Sequence, residues 1–225
     1  MTEEFSKAYW EGHYHGPAAG RPKPPNPHLV VEASALTPGT ALDAGCGEGA
    51  EAIWLATQGW QVTAVDIADG ALREARAHAR AAGDTIAARI DWLQADLSDW
   101  APPVAQFDLV CSHYVHPTSS RESLVDRLAA AVAPGGTLLI VGHHPADPRP
   151  GVSHAAARDV HFTADDVAAG LDPDRWEILV AEDRHRPIIG HPDHTHDHTH
   201  GHGHGHGHGH GHTLHDTVLR ARKRT

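Results

Sequence analysis

The sequence has 225 residues, which is enough for one α/β domain and too few for two enzymatic domains. Its 18 Lys and Arg against 29 Asp and Glu give a formal net charge of −11, which predicts no binding to nucleic acid or to anionic membranes. The two cysteines, Cys46 and Cys111, suggest no disulfide framework. No apolar run follows a basic segment near residue 1, as it would in a signal peptide, so we expect a cytoplasmic protein.

Two segments precede the main body of the sequence. The first fifteen residues predict a short arm or lid, in which Trp10 and Tyr14 either close over a ligand or anchor the arm. Residues 16–27, GPAAGRPKPPNP, contain too much Pro and Gly for a helix or a central strand. We therefore expect an arm and connector over residues 1–27 and one domain over residues 28–225.

From residue 40, strand and helix patterns alternate along the chain. TALDAGC and QVTAVDI predict the first two strands, and AEAIWLATQG is the helix between them. DGALREARAHARAAG predicts a second helix with Asp69 as its N-cap and Gly83 as its end. ARIDWLQADL and FDLVCSHYV predict the third and fourth strands.

The second half of the chain continues this alternation and then changes. Ser119 stands three residues before Glu122, which predicts a capped helix ahead of the buried strand GTLLIVGHH, and Thr163 predicts a second cap. RWEILVAEDRHRPI and TLHDTVLRARKR have no helix between them and predict an antiparallel hairpin. The sequence therefore predicts an α/β, Rossmann-like, doubly wound and mostly parallel seven-stranded sheet with a terminal antiparallel hairpin.

A glycine-rich loop follows the first predicted strand in ALDAGCGEGA. Its backbone would turn tightly and approach a ligand at a helix N-terminus. Gly45, Gly47 and Ala50 also fit the dinucleotide pattern G-x-G-x-x-A, and Asp66 follows Gly45 by 21 residues, where a carboxylate would hold ribose hydroxyls. An NAD(P)-dependent oxidoreductase is therefore one alternative.

Three features favour a different nucleotide cofactor. Asp43 lies two residues before the first glycine, where a carboxylate suits an ammonium group better than a pyrophosphate. Asp96 ends the third strand, where it would accept a hydrogen bond from an adenine amino group. The chain lacks the Tyr-x-x-x-Lys arrangement of short-chain dehydrogenases. A cofactor with an adenosine half and an amino-acid half fits these residues better than a dinucleotide.

At these residues the chain resembles class I S-adenosylmethionine (SAM)-dependent methyltransferases. The resemblance rests, in chain order, on ALDAGCGEG, VTAVDI, LQADL, FDLVCSHYV and LAAAVAPGGTLLIV. More narrowly, YWEGHY and LDAGCGEGAEAIWLA resemble the bacterial small-molecule group related to thiopurine and tellurite methyltransferases. The resemblance implies methyl transfer to a small-molecule acceptor, whose nucleophile is a thiol, a chalcogen oxyanion, an amine or a hydroxyl.

The resemblance also implies a set of cofactor-binding residues. Asp43 and the loop glycines would line the methionine part, Asp66 would hold the ribose, and Asp96 would read the adenine amino group. Ile67 and Leu97 would pack on the adenine, and Ser112 and His113 would lie near the transferred methyl. His113 is the candidate general base. The complete expected cofactor set is Asp43, Gly45, Gly47, Gly49, Asp66, Ile67, Asp96, Leu97, Ser112 and Trp10.

Residues 191–212 form a tract rich in His and Gly, which we expect to be a loop inserted in the terminal hairpin. Imidazole suits Ni, Zn and Cu, so we expect the tract to bind several divalent ions without one fixed geometry. The alternative is that a methyltransferase-like fold serves as a metal-binding or buffering protein, with the tract as its working part. The predicted ligands are His194, His196, His198, His200, His202, His204, His206, His208, His210 and His212.

Overall fold

The computed structural model describes residues 4–14, 22–146, 160–187 and 213–225. The histidine tract and all ten of its predicted metal ligands lie outside the described residues. Within the described ranges, no helix combines the length and the apolar character that crossing a bilayer would need.

Seven strands and seven helices are described, numbered here in chain order. The strands are β1 (Thr40–Ala44), β2 (Gln61–Asp66), β3 (Ile90–Gln94), β4 (Phe107–His113), β5 (Val132–His143), β6 (Trp176–Pro187) and β7 (Thr213–Lys223). The helices are α1 (Lys7–His13), α2 (Pro27–Ala33), α3 (Ala50–Thr57), α4 (Asp69–Ala82), α5 (Asp84–Ala87), α6 (Arg121–Ala131) and α7 (Ala164–Ala168).

The strands form one sheet in the order β3-β2-β1-β4-β5-β7-β6. Strands β1 to β5 pair in parallel, whereas β7 runs antiparallel to both β5 and β6. The predicted α/β fold with its terminal antiparallel hairpin is confirmed. The strand order reverses direction between β1 and β4, so a crevice opens at their carboxyl ends, which is where parallel sheets bind ligands.

The sheet is buried on both faces by the helices. Successive side chains of a strand point to opposite faces, so Leu138 joins one apolar cluster and Leu139 the other. Leu109 and Val110 divide in the same way on β4. Helices on both faces explain why the central strands are nearly continuous apolar runs instead of alternating with polar residues.

The helix caps agree with the sequence predictions in part. Thr163 caps α7 through a reciprocal pair of hydrogen bonds with Asp166, as its spacing predicts. The prediction of Ser119 as the cap of α6 is wrong. Ser120 takes that position and accepts from the Ser123 backbone, while Ser119 lies 3.4 Å from an Arg127 nitrogen.

The predicted cap of α4 is also wrong, for a tertiary reason. Asp69 is the first residue of the helix, and Ala68 takes the cap position without a side-chain hydrogen bond. The Glu11 carboxylate in the arm accepts from the backbone N–H groups of Asp69 and Gly70 at 2.8 and 3.2 Å. A residue 58 positions away therefore supplies the cap, and it fixes the arm to the body. Gly83 ends the helix as predicted.

Candidate active site

The glycine loop after β1 has the left-handed backbone that its glycines allow, in line with the predicted tight turn. Gly45 and Gly47 have φ values of 81° and 50°, in the left-handed region that favours glycine. The backbone N–H groups of Gly45 and Cys46 both donate to the Val65 carbonyl, at 2.8 and 2.9 Å, and hold the loop against β2. A Cβ atom on Gly45 would overlap the side chain of Val115, so no larger residue fits there.

A cavity of about 210 Å³ lies beside this loop, at the carboxyl ends of β2, β3 and β4. It brings together seven of the predicted residues, which come from five separate segments of the chain. They are Trp10, Gly45, Asp66, Ile67, Asp96, Leu97 and His113.

Backbone donors orient the two carboxylates of this cavity. The two oxygens of Asp66 accept from the Gly47 and Ala68 N–H groups at 2.8 and 2.9 Å. Burial raises the pKa of Asp66 above its usual value, although these hydrogen bonds act in the opposite direction. Asp96 accepts from the Ser98 N–H at 2.8 Å. Both carboxylates are therefore held in place before any ligand binds.

The arm closes one side of the cavity with aromatic rings. Phe5 is buried, stacks on Trp10 with ring centroids 6.0 Å apart, and lies 4.9 Å from the His116 ring. Tyr14 also lines the cavity, and its hydroxyl lies 2.8 Å from where a Cβ atom on Gly47 would be. The arm therefore contacts both the glycine loop and the segment after β4.

A second cavity of about 780 Å³ adjoins the first on the other side of the glycine loop. The connector forms one wall of it, and Leu214 at the start of β7 forms another. Two polar contacts hold the connector. Nζ of Lys23 lies 2.8 Å from a carboxylate oxygen of Glu48, and the backbone N–H of Asn26 donates to the Glu51 carboxylate at 2.9 Å. The residues that line both cavities are Tyr14, Gly45, His113 and Tyr114.

His113 lies at this junction as a neutral side chain. Both ring nitrogens are buried and have no hydrogen-bond partner among the described residues. Burial, followed by the nearby His28, lowers the pKa of His113 to about 3. The ring can therefore donate one hydrogen bond and accept another, but it is a weak base at neutral pH.

Tyr114 has a φ of 54°, which is unusual for a residue with a bulky side chain. Its ring stacks on His143 at the end of β5, with centroids 4.6 Å apart. Such outliers persist only where the surrounding structure holds them, and they concentrate at functional sites. The strained backbone turns the Tyr114 ring toward the junction of the two cavities.

Asp43 is buried behind the glycine loop and lines neither cavity. Burial, followed by the charges of Glu51 and Asp66, raises its pKa well above the usual value. Asp43, Cys111 and His113 each place one possible metal-ligand atom within 4.8 Å of the others. Asp43 and Cys111 line neither cavity, whereas His113 lines both.

The structure places three other predicted residues away from the smaller cavity. Gly47 lines the larger one. Gly49 is the left-handed N-cap of α3, and a Cβ atom there would lie 2.7 Å from Trp92, so this glycine serves packing. Ser112 faces the opposite side of β4 from His113, as alternation along a strand requires, and lines a small separate pocket.

The sequence did not identify several residues that line the smaller cavity. Phe5, Tyr114, Val115, His116 and Pro117 were not predicted as ligand-binding residues. The aromatic run of the arm was a signal for Phe5, but its contact with His116 joins segments more than 100 residues apart. No local pattern encodes such a contact.

Residues 41–136 match a protein-family model described as a methyltransferase domain. The matched range runs from β1 into β5, so the methyltransferase domain includes the glycine loop, Asp66, Asp96 and His113. The arm and the hairpin, which complete the two cavities, lie outside the match.

Two similar proteins are named as methyltransferases, and a solved structure has a similar fold. An uncharacterized methyltransferase of Mycobacterium tuberculosis is 41% identical over 120 residues, which are 52% of this chain and 58% of that protein. A 2-heptyl-1-hydroxyquinolin-4(1H)-one methyltransferase of Mycobacteroides abscessus is 28% identical over 192 residues, with coverages of 75% and 82%. TehB from Haemophilus influenzae shares the fold, with a TM-score of 0.63 at 17% identity over 97% of this chain and 67% of that one.

The match to the Mycobacterium tuberculosis protein covers less than two thirds of that protein's length. The family model and the relatives support a methyltransferase domain, and the solved structure shows the fold alone. The narrower resemblance to thiopurine and tellurite methyltransferases is not confirmed by them.

Proposed function

We propose that this protein transfers the methyl group of SAM to a small-molecule acceptor. The observation that carries the proposal is the pair of adjoining cavities that meet at His113 and Tyr114. The smaller cavity has the two oriented carboxylates that a nucleoside needs. The larger one gives an acceptor its own approach to the junction.

The residues of the smaller cavity fit the cofactor that the domain class uses. Asp66 would accept from the ribose hydroxyls, Asp96 from the adenine amino group, and Ile67 and Leu97 would contact the adenine faces. Gly45 lines both cavities and has a positive φ, so the loop presents backbone without a side chain to the cofactor. When bound, SAM supplies an electrophilic methyl on a sulfonium, so the protein mainly has to position the acceptor and exclude water.

The arm excludes water, and His113 positions the acceptor. Phe5 and Trp10 cover the smaller cavity with apolar rings and reduce the access of water. His113 is neutral and orients the acceptor through a hydrogen bond. Because a general base works best with a pKa near the working pH, a pKa of about 3 makes His113 a poor proton acceptor.

We infer from this that His113 does not deprotonate the acceptor, which favours an acceptor that ionises by itself. A thiol or an acidic hydroxyl meets that condition, whereas an alcohol or an ammonium group does not. Pro24, Pro25 and Leu214 give the larger cavity apolar walls. The Mycobacteroides abscessus relative supports the same class, since its name describes an apolar heteroaromatic acceptor that carries a hydroxyl. Among the described residues, Lys23 is the one Lys or Arg that lines either cavity, and it is already paired with Glu48, which disfavours chalcogen oxyanions.

The test is methyl transfer from labelled SAM to a panel of an aryl thiol, an N-hydroxyheteroaromatic, a primary amine and tellurite. We expect the first two to be methylated, with kcat/KM rising with pH along each acceptor's own ionisation. His113→Gln should change KM more than the pH profile. Turnover of the amine with a pH profile that His113→Gln shifts would contradict the proposed acceptor class.

We also infer from the sequence that the histidine tract binds Ni, Zn or Cu as an accessory property. If the protein were instead a metal buffer, replacing the eleven histidines of residues 191–212 with Asn would abolish its function and leave a body that binds no cofactor. We expect that variant to keep SAM binding unchanged. The nicotinamide alternative is disfavoured by the family match, and it predicts NADH binding where we expect none.

A further inference from the structure

Three histidines form a row across the last three strands of the sheet. His185 on β6 is the direct cross-strand partner of His215 on β7. On the other side of β7, His143 at the end of β5 pairs with Asp216. The next residue, His144, lies beside His215, and its backbone N–H donates to the His215 carbonyl at 3.1 Å. Facing residues on adjacent strands project their side chains from the same face, so the three imidazoles are neighbours.

The side chains in this row are in contact. The rings of His185 and His215 have centroids 4.3 Å apart and are nearly perpendicular, and the rings of His215 and His144 have centroids 6.4 Å apart. Asp183 lies two residues before His185 and therefore on the same face of β6. One of its carboxylate oxygens is 3.2 Å from Nε2 of His144.

These four side chains are accessible, and the cavities described above do not use them. The Asp183 side chain is 49% exposed and His185 is exposed, whereas His215 is half-buried and the His144 side chain is 18% exposed. None of the four lines the two cavities at the glycine loop. The row lies on the hairpin, outside the matched methyltransferase domain.

We propose that His144, Asp183, His185 and His215 form a binding site for one divalent transition-metal ion, with Zn²⁺ as the reference ion. Imidazole and carboxylate are common zinc ligands, at bond lengths of about 2.0 to 2.2 Å. Two such ligands on a tetrahedral ion are separated by about 3.3 to 3.6 Å. The observed separation of 3.2 Å between Asp183 and His144 is close to that value.

The ligand atoms of the four residues are not yet gathered around one point, so His185 and His215 would have to rotate their side chains to reach the ion. Facing Cβ atoms on adjacent strands are about 4.5 to 5.5 Å apart, a separation at which two imidazoles can share one ion. His215 lies in the middle of the row, beside both His144 and His185. The sheet fixes the backbone of all three, so this site has the defined geometry that alternating Gly and His cannot provide.

The row of histidines lies close in sequence to the histidine tract. Strands β6 and β7 end at Pro187 and Thr213, two residues beyond His185 and His215. The sequence that joins those two ends contains eleven histidines. The proposed site is therefore separate from the tract but covalently next to it, and it should bind an ion when every tract histidine has been replaced.

The test uses the full-length chain with the eleven histidines of residues 191–212 changed to Asn, so that its length is unchanged. Calorimetric titration with Zn²⁺ should show one ion per chain. His215→Asn and Asp183→Asn, each added to that background, should weaken binding by about tenfold or more. His78→Asn on α4 is the matched control for the loss of one histidine and should leave the affinity unchanged.

Two further readouts separate loss of a ligand from loss of the fold. Co²⁺ in place of Zn²⁺ should give a visible absorption band that His185→Asn alters, and SAM affinity and melting temperature should stay constant across the variants. The proposal is overturned if the tract-substituted chain takes up no ion at a 1:1 ratio. It is equally overturned if uptake persists unchanged in His215→Asn and Asp183→Asn.

Discussion

His113 shows how one buried side chain couples stability to pH. Its pKa is about 3 in the folded protein and about 6.5 in an unfolded chain, so the unfolded state binds the proton more readily between those values. Stability from this residue is therefore complete above pH 6.5 and is lost as the pH falls toward 3. The slope reaches at most about 1.4 kcal/mol per pH unit.

We predict that His113→Gln removes this dependence. The free energy of unfolding of the wild type, minus that of the variant, should decrease between pH 6.5 and pH 4.5 when measured by urea denaturation. His13→Gln, which changes an exposed histidine on α1, controls for the loss of one histidine. A difference that stays constant over this range would contradict the burial of a neutral ring.

Asp66 is the residue on which cofactor affinity should depend most. Asp66→Asn keeps the shape of the side chain but removes the charge that would accept from two hydroxyls. Hydrogen bonds to a charged group contribute about 1.5 to 3 kcal/mol, so SAM affinity should fall about ten- to hundredfold. Calorimetry measures this, with exposed Asp91→Asn on β3 as the control. Equal SAM affinity of Asp66→Asn and the wild type would show that Asp66 does not hold the cofactor.

Gly45 is constrained both by its backbone conformation and by the neighbouring Val115 side chain. Comparing variants at Gly45 and Gly83 separates these two effects. Gly83 also has a positive φ, of 132°, but nothing lies within 4 Å of a Cβ atom there. Gly83→Ala should therefore cost only backbone strain, about 1 to 3 kcal/mol. Gly45→Ala should destabilise the protein by more than Gly83→Ala, because its Cβ atom also meets Val115.

Val115→Ala tests the steric part of this prediction. It removes the methyl group that a Cβ atom on Gly45 would overlap, so the double variant should recover part of the lost melting temperature. No recovery would show that backbone conformation alone requires a glycine at this position.

At the scale of elements, the arm is attached to the body through the start of α4. Glu11 accepts from two helix N–H groups and lies at the positive end of the helix dipole, contacts that together contribute about 1 kcal/mol. Glu11→Ala should release the arm and weaken SAM binding about fivefold, with little change in melting temperature. Faster proteolysis of the arm would report the release directly.

Lys7→Ala is the control for that variant, because Lys7 is an exposed residue of the same helix. If Glu11→Ala and Lys7→Ala gave the same affinity and the same rate of proteolysis, the cap contact would have no role in closing the cavity.

The elements of the sheet were predictable because their signals are local. The apolar runs of β1, β4 and β5 and the β-branched run of β2 identify buried strands, and the absence of a helix after β6 predicts the hairpin. The carboxylates Asp66 and Asp96 were predictable for the same reason, since each ends a recognisable strand. Parallel strands then bring those ends to one edge of the sheet.

The missed features depend on contacts between distant segments. Glu11 displaces Asp69 as the cap of α4 across 58 residues. Phe5 lines the cavity because the arm packs on His116. The depth at which Asp43 is buried, and the low pKa of His113, depend on how the whole sheet and its loops pack. Periodicity and spacing carry no information about such contacts.

At the scale of the whole molecule, the two cavities are built jointly by the matched domain and by segments outside it. The matched range supplies the glycine loop and both carboxylates, while the arm, the connector and Leu214 of the hairpin supply further walls of the two cavities. Because function depends on the site and not on the fold, we expect these walls to select the acceptor. The histidine tract interrupts the hairpin in sequence, but β6 pairs with β7 from Trp176 to Pro187, with one register shift between Ile178 and Val180.

The measurement that tests the central claim most directly is calorimetric titration of the full-length protein with SAM, with S-adenosylhomocysteine and with NADH. We predict 1:1 binding at micromolar affinity for the first two ligands, and none for NADH. Binding of NADH alone would make the glycine loop a dinucleotide site. Failure to bind any of the three by a folded protein would contradict a methyltransferase function for this chain.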